Sequence, residues 1–228
     1  MVADPTDETE GTVADGHADD GAGDGDDGLP VPLSGSTLVV GPSNVGKTTL
    51  TARALERWVD AHGPDGVVVL DFGPEIERDG RLLGGRLSRF TGLLEDPVVE
   101  GGRTAAGRTP SGVWYGVLDA HAPRAGSDSE AEAVALSGEN ARGAAELFAR
   151  APTRPAAVFV NDATIAFQHP TGDVDRLLAY CRRADAAVVN AFESDELGTD
   201  DAVSRRERRA LDTLVDGVDR VCRLQRRP

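Results

Sequence analysis

The chain has 228 residues, with 39 acidic against 24 basic side chains, a net charge of −15 and two cysteines. That balance argues against general nucleic-acid binding, which needs a basic surface. No apolar run approaches the ~18 residues needed to span a bilayer. The start of the chain also lacks the basic and apolar regions of a secretory signal, so the expectation is a cytoplasmic protein with no membrane partner.

Residues 1 to 28 hold ten Asp or Glu, no Lys or Arg and no aromatic, and carry two thirds of the net charge. Such a segment buries too little apolar surface to offset the entropy of ordering. With the stiff Leu29-Pro30-Val31-Pro32 stretch it is expected to form a disordered acidic tail and linker over 1–33, leaving one domain at 34–228.

Strands and helices then alternate. STLVVG (36–41) reads as a strand, and 48–62 as a helix with Leu50, Ala54, Leu55, Trp58 and Val59 at helical spacing, stopped by Gly63-Pro64. GVVVLDF (66–72) and GVWYGVLDA (112–120) read as strands, and 127–150 as a helix with a possible break near Gly138. AAVFVND (156–162) is a strand, 172–184 a helix, AAVVNAF (186–192) a strand, 199–215 a helix and DRVCRL (219–224) a last strand. Continuous apolar strands separated by helices predict an α/β doubly wound, mostly parallel sheet with helices on both faces. Residues 73–111, rich in Gly and Arg, break the alternation and are expected to be an irregular insertion.

The chain's only lysine is Lys47, inside Gly41-Pro42-Ser43-Asn44-Val45-Gly46-Lys47-Thr48-Thr49. The spacing is G-x-x-x-x-G-K-[ST], between a predicted strand and a predicted helix. Glycines let successive N–H groups curl around an anion, and the helix start leaves further N–H groups free. Lys47 supplies a compact charge on a flexible stem, and Thr48 a hydroxyl for a magnesium ion between phosphates. Here the chain resembles the P-loop NTPase superfamily and its Walker A motif. The resemblance implies a nucleoside triphosphate, ATP with GTP possible, held with Mg2+ by residues 41–49. The single Lys, abundant Arg and acid excess resemble proteins of salt-loving archaea, which concerns solubility rather than activity.

Such proteins need a strand-end carboxylate to orient the metal and its waters. Three acids end predicted strands, namely Asp162, Asp71 and Asp119. Asp162 most resembles a Walker B acid and joins Lys47 as a catalytic candidate. Thr48, Asp162 and Asp71 form the candidate metal set. Asn161 beside Asp162 departs from the usual acidic pair, which puts hydrolysis in doubt. Asp71-Phe72-Gly73 spells a kinase tripeptide but lacks the accompanying catalytic loop. Asn190-Ala191-Phe192-Glu193 stands where a guanine-reading motif would lie but lacks its Lys and Asp.

Arg86, Arg89, Arg103 and Arg108 read as a surface loop paired with acids, or alternatively as a lid over phosphates. The Arg205–Arg209 run reads as an exposed helix face. His62, His121 and His169 show no metal spacing, and Cys181 and Cys222 no metal or redox spacing. The leading expectation is a Mg-ATP-binding P-loop NTPase coupled to a protein partner. The alternatives are a small-molecule or nucleotide kinase with an acceptor site in 73–111, and a GTP-binding or non-hydrolysing switch. Oligomeric state is left open.

Overall fold

The computed structural model describes residues 28–78, 81–83, 85–97, 102–196 and 198–226. The acidic tail expected over 1–33 therefore lies outside the described residues up to residue 27. Its last part is packed. Val31 is 2% exposed, and Leu29 and Leu33 pack against the same apolar cluster, so the linker is part of the packed body.

The β-branched and Ala-rich runs form the central strands β1 (Gly35–Gly41) and β2 (Val67–Asp71). Two short strands, β3 (Ile76–Arg78) and β4 (Arg81–Leu83), make a separate antiparallel hairpin. Then come β5 (Thr104–Arg108), β6 (Trp114–Leu118), β7 (Ala157–Asn161), β8 (Ala186–Phe192) and β9 (Arg220–Arg223). The seven-stranded sheet has the order β5-β6-β2-β7-β8-β1-β9, parallel except for β5. Nearly every residue of β1, β2, β7 and β8 is buried, because helices or loops cover both faces.

Helix α1 (Lys47–His62) turns Leu50, Ala54, Leu55 and Trp58 onto one face of the sheet, and Gly63 at φ 81° stops it. Helices α2 (Glu130–Arg150), α3 (Val174–Cys181) and α4 (Ala202–Gly217) cover the other face with Leu147, Leu177 and Leu214. The expected α/β class, with a mostly parallel sheet and helices on both faces, is what the chain adopts.

Two local features differ from the sequence expectation. The break at Gly138 is absent, since α2 runs unbroken. Its glycines serve close approach instead: a Cβ at Gly143 would lie 2.4 Å from Leu118 Cδ1. The 73–111 insertion is not wholly irregular, because it supplies β5 and the hairpin. β5 pairs antiparallel at the sheet edge, where one pairing side suffices and a weakly apolar TAAGR segment is enough.

The order of strands sets the position of the site. From β1 the chain crosses by α1 to β2, past β8 and β7; from β8 it crosses by α4 to β9 on the other side of β1. The neighbours β1 and β8 thus send their connections in opposite directions and over opposite faces, opening a crevice at their carboxyl ends.

Candidate functional site

A cavity of about 650 Å³ opens at that crevice. Its floor is the loop after β1. Gly46 has φ 94°, a left-handed conformation that a side chain would strain, and Asn44 shares the left-handed region at φ 62°. At Gly41 a Cβ would lie 2.4 Å from the Leu224 carbonyl oxygen, so β9 passes where only glycine leaves room. Ser43, Asn44, Gly46, Lys47, Thr48 and Thr49 line the cavity. Gly41 and Pro42 present carbonyls to Lys47, and Val45 packs over Gly41.

The helix that starts here differs from the other three. Ser129, Asp173 and Asp201 cap α2, α3 and α4 by accepting from the backbone N–H groups of Glu132, Arg176 and Ser204. α1 begins at Gly46 with no side-chain cap and no acid in its first turn. Its first N–H groups and its dipole are therefore left for an external anion. Lys47 is 7% exposed and donates from Nζ to the carbonyl oxygens of Gly41 at 2.9 Å and Pro42 at 2.6 Å. Burial pulls its pKa below the usual lysine value, while Asp162 and Glu196 act to hold it up.

The structure distributes the three strand-end acids very differently. Asp162 lines the cavity, is partly buried, and leaves β7 in a left-handed conformation at φ 50° and ψ 50°. Burial raises its pKa, Lys47 lowers it and Glu207 raises it. Among the described residues no cation lies within salt-bridge distance of it. Asp71 is fully buried and does not line the cavity. Its Oδ1 accepts from Asn161 Nδ2 at 2.8 Å and Gly73 N at 3.2 Å, and its Oδ2 from Leu87 N at 2.6 Å and Tyr115 Oη at 3.0 Å. Burial lifts its pKa to about 6 against those four donors. With both oxygens occupied, Asp71 has no free position for a metal. Asp119 is half exposed and pairs with Arg86 and Arg103 away from the cavity.

The residue brought to Thr48 is Asn161. Thr48 Oγ1 donates to Asn161 Oδ1 at 3.2 Å, and Asn190 Nδ2 donates to the same oxygen at 3.0 Å. Asn161 Nδ2 donates to Asp71 and to the Gly85 carbonyl at 2.9 Å. Asn190 also donates to Thr51 Oγ1 at 2.9 Å and accepts from Asp162 N at 2.9 Å. β8, which carries Asn190, lies between β1 and β7, so neither Asp71 nor Asp162 is on a strand next to β1.

The far wall has no motif to mark it in the sequence. Arg124 pairs with Glu207 at 2.5 Å and donates to Ser204 Oγ at 3.2 Å, and Gln168 Nε2 donates to Glu207 Oε1 at 2.9 Å. The ring of Phe192 has Lys47 Nζ 5.9 Å and Arg124 Cζ 5.8 Å from its centroid. The two cations thus share one aromatic ring within one cavity. Because Glu207 is 4% exposed, Arg124→Ala is expected to strand a buried charge and cost about 3–5 kcal/mol. The apolar pair Arg124→Met/Glu207→Leu is expected to recover most of that loss, as read by urea unfolding.

The arginines of the insertion are held elsewhere. Arg86 meets Glu75, Asp96 and Asp119 at 3.2–3.8 Å, Arg89 meets Glu75 at 3.6 Å, and Arg108 donates to the Gly112 carbonyl at 2.6 Å. The acid-paired surface loop is what these contacts describe for Arg86, Arg89 and Arg103. Pro74, Gly85 and Phe90 of the same insertion do reach the cavity wall. His121 pairs with Glu139, His169 with Thr171, and His62 stacks on Trp58. Cys181 and Cys222 are free. Among the described residues no helix is long and apolar enough to cross a membrane.

The donor set suits an anion with a hard cation. The uncapped start of α1 and Lys47 line the cavity, and Thr48 and Asp162 offer oxygen ligands of the kind Mg2+ takes. Among the described residues no group of three His, Cys, Asp or Glu could hold a metal alone, so a cation here would depend on oxygens from its ligand. Comparison with protein-family models, with curated proteins and with solved structures gives no match for this chain.

Proposed function

We propose that the chain is a P-loop NTPase that binds a Mg-nucleoside triphosphate, ATP first, in the cavity over residues 41–49, and hydrolyses it slowly in the service of a protein partner. One observation carries this reading. The one α-helix start without a side-chain cap among the described residues, Lys47, Thr48 and the carboxylate of Asp162 converge on one cavity at a sheet switch point. The loop amides and Lys47 would hold the phosphates, and Thr48 would ligate the metal that neutralises them. Asp162 is the pocket carboxylate placed to accept a proton from an attacking water. Its position beside Lys47 without an ion pair keeps an oxygen free for that work.

A second reading, a switch that binds without turnover, is favoured by the neutral Asn161 at Thr48. Phosphate release measured in molar KCl with ATP or GTP and Mg2+ separates the two. On the hydrolase reading, Asp162→Asn keeps nucleotide affinity within about threefold and lowers phosphate release by roughly 100-fold or more. Binding with no release by the unaltered chain supports the switch. Transfer to an added acceptor supports a kinase, with Pro74, Gly85 and Phe90 as its acceptor wall. Absence of any nucleotide binding defeats all three.

A further inference from the structure

The buried polar groups behind Thr48 form a chain with a direction. Thr48 donates its hydroxyl hydrogen to Asn161, and Asn161 donates an amide hydrogen to Asp71. Asp71 Oδ1 and the Gly85 carbonyl are both pure acceptors for Asn161, which forces Nδ2 toward them and Oδ1 toward Thr48. Asn190 confirms the orientation by donating its own Nδ2 to that oxygen, since its Oδ1 is taken by the Asp162 amide. All four hydrogen-bonding positions of the Asn161 carboxamide are used, so it has one orientation only.

We propose that Asp71 is a positioning residue for the Thr48 hydroxyl, acting through Asn161 to fix the direction of this chain. An acceptor at Asn161 Oδ1 makes Thr48 donate inward. Both lone pairs of Thr48 Oγ1 then remain for a divalent cation on the cavity side. With the amide reversed, Thr48 would accept from Asn161 and aim its own hydrogen at the cation. A carboxylate at 161 would impose the same direction, but Asp71 is its register partner and touches it at 2.8 Å. Two buried carboxylates at that distance cannot both be ionised. The charge therefore sits one residue deeper than the group that needs its effect. This inference rests on the nucleotide reading of the cavity.

The exchange of the two groups tests it. In Asp71→Asn the new amide must turn its nitrogen toward two donors. Each side carries a backbone N–H that cannot rotate, and the shorter contact, Leu87 N at 2.6 Å against Gly73 N at 3.2 Å, keeps the oxygen, so the nitrogen faces Asn161 and drives its carboxamide to reverse. In the double variant Asp71→Asn/Asn161→Asp the new carboxylate at position 161 again accepts from Thr48, and the direction is restored. Calorimetric titration of ATP against the full chain, in MgCl2 and in EDTA, gives the factor by which magnesium improves binding.

Asp71→Asn is expected to reduce that factor by about tenfold or more while leaving affinity in EDTA, set by the loop amides and Lys47, within about twofold. The double variant is expected to recover it. A factor unchanged in Asp71→Asn, with only thermal stability lowered, overturns the proposal, as does a double variant that folds without recovery. If Asp71→Asn does not fold, the double variant alone decides, by matching or exceeding the magnesium factor of the unaltered chain or falling short of it. No ATP binding by the unaltered chain in either buffer defeats the nucleotide reading itself, a result distinct from binding that ignores the exchange.

Discussion

Lys47→Ala is expected to weaken ATP binding by at least about 100-fold while leaving the fold intact. The size follows from what the ammonium contributes. A hydrogen bond to a charged group is worth roughly 1.5–3 kcal/mol net, and an ammonium among phosphates makes more than one. Nζ donates to the Gly41 and Pro42 carbonyls, and on the proposed reading it would exchange these two acceptors for phosphate oxygens. The fold loses little, because Gly41 O also accepts from Glu193 N at 3.1 Å. Lys47→Arg is expected to fail nearly as badly, since a planar fork cannot enter a cradle built for a point charge. Titration calorimetry in molar KCl reads both variants. An alanine variant within about threefold of the unaltered chain would remove the lysine, and with it the phosphate assignment, from this cavity.

The placement of the only lysine in a chain otherwise given to arginine is legible in the residues alone, and so is the strand-loop-helix around it. The central strands are legible because Val, Leu and Ala runs buried on both faces leave no other reading, and three of the four helices begin at Ser or Asp caps. What stays hidden depends on partners far apart in the chain. Arg124 and Glu207 meet across 83 positions, through the loop before α2 and the middle of α4. Neither belongs to a motif, and the 207 carboxylate stands inside an arginine-rich run that reads as surface.

The strand-end acids show a different limit. Asp162 follows the apolar run and looks like the partner of Thr48, but that contact goes to Asn161, the last residue of β7. The reason is backbone direction. Asp162 leaves the strand through a left-handed conformation, which few residues other than Gly, Asn and Asp adopt and which a residue pattern does not announce. A link between Asp71 and Asn161 follows only from β2 and β7 being neighbours in register.

The second large effect is in pH dependence, and Asp71 carries it. Burial lifts its pKa in the fold from 3.8 to about 6. The folded chain therefore holds this proton where the unfolded chain has lost it. Stability from this group is complete below the unfolded value and declines as pH rises through the folded value, staying low above it. The full difference corresponds to roughly 3 kcal/mol, of which roughly 2 kcal/mol falls between pH 4.5 and 7.5. Asp201 and Asp219, whose pKa values are lowered by backbone and hydroxyl donors, slope the opposite way. The bare profile therefore mixes signs, and the informative quantity is the difference between the unaltered chain and Asp71→Asn, in which all other groups cancel. At pH 7.5 the two chains are expected to be close: the variant loses the buried charge but leaves two donors unpaired, each costing about 1–3 kcal/mol. Toward pH 4.5 the unaltered chain should gain by roughly 2 kcal/mol over the variant, read as diverging urea midpoints. Parallel midpoints across that range would mean that Asp71 titrates like an exposed acid. The four donors around it would then offset the cost of its burial in full.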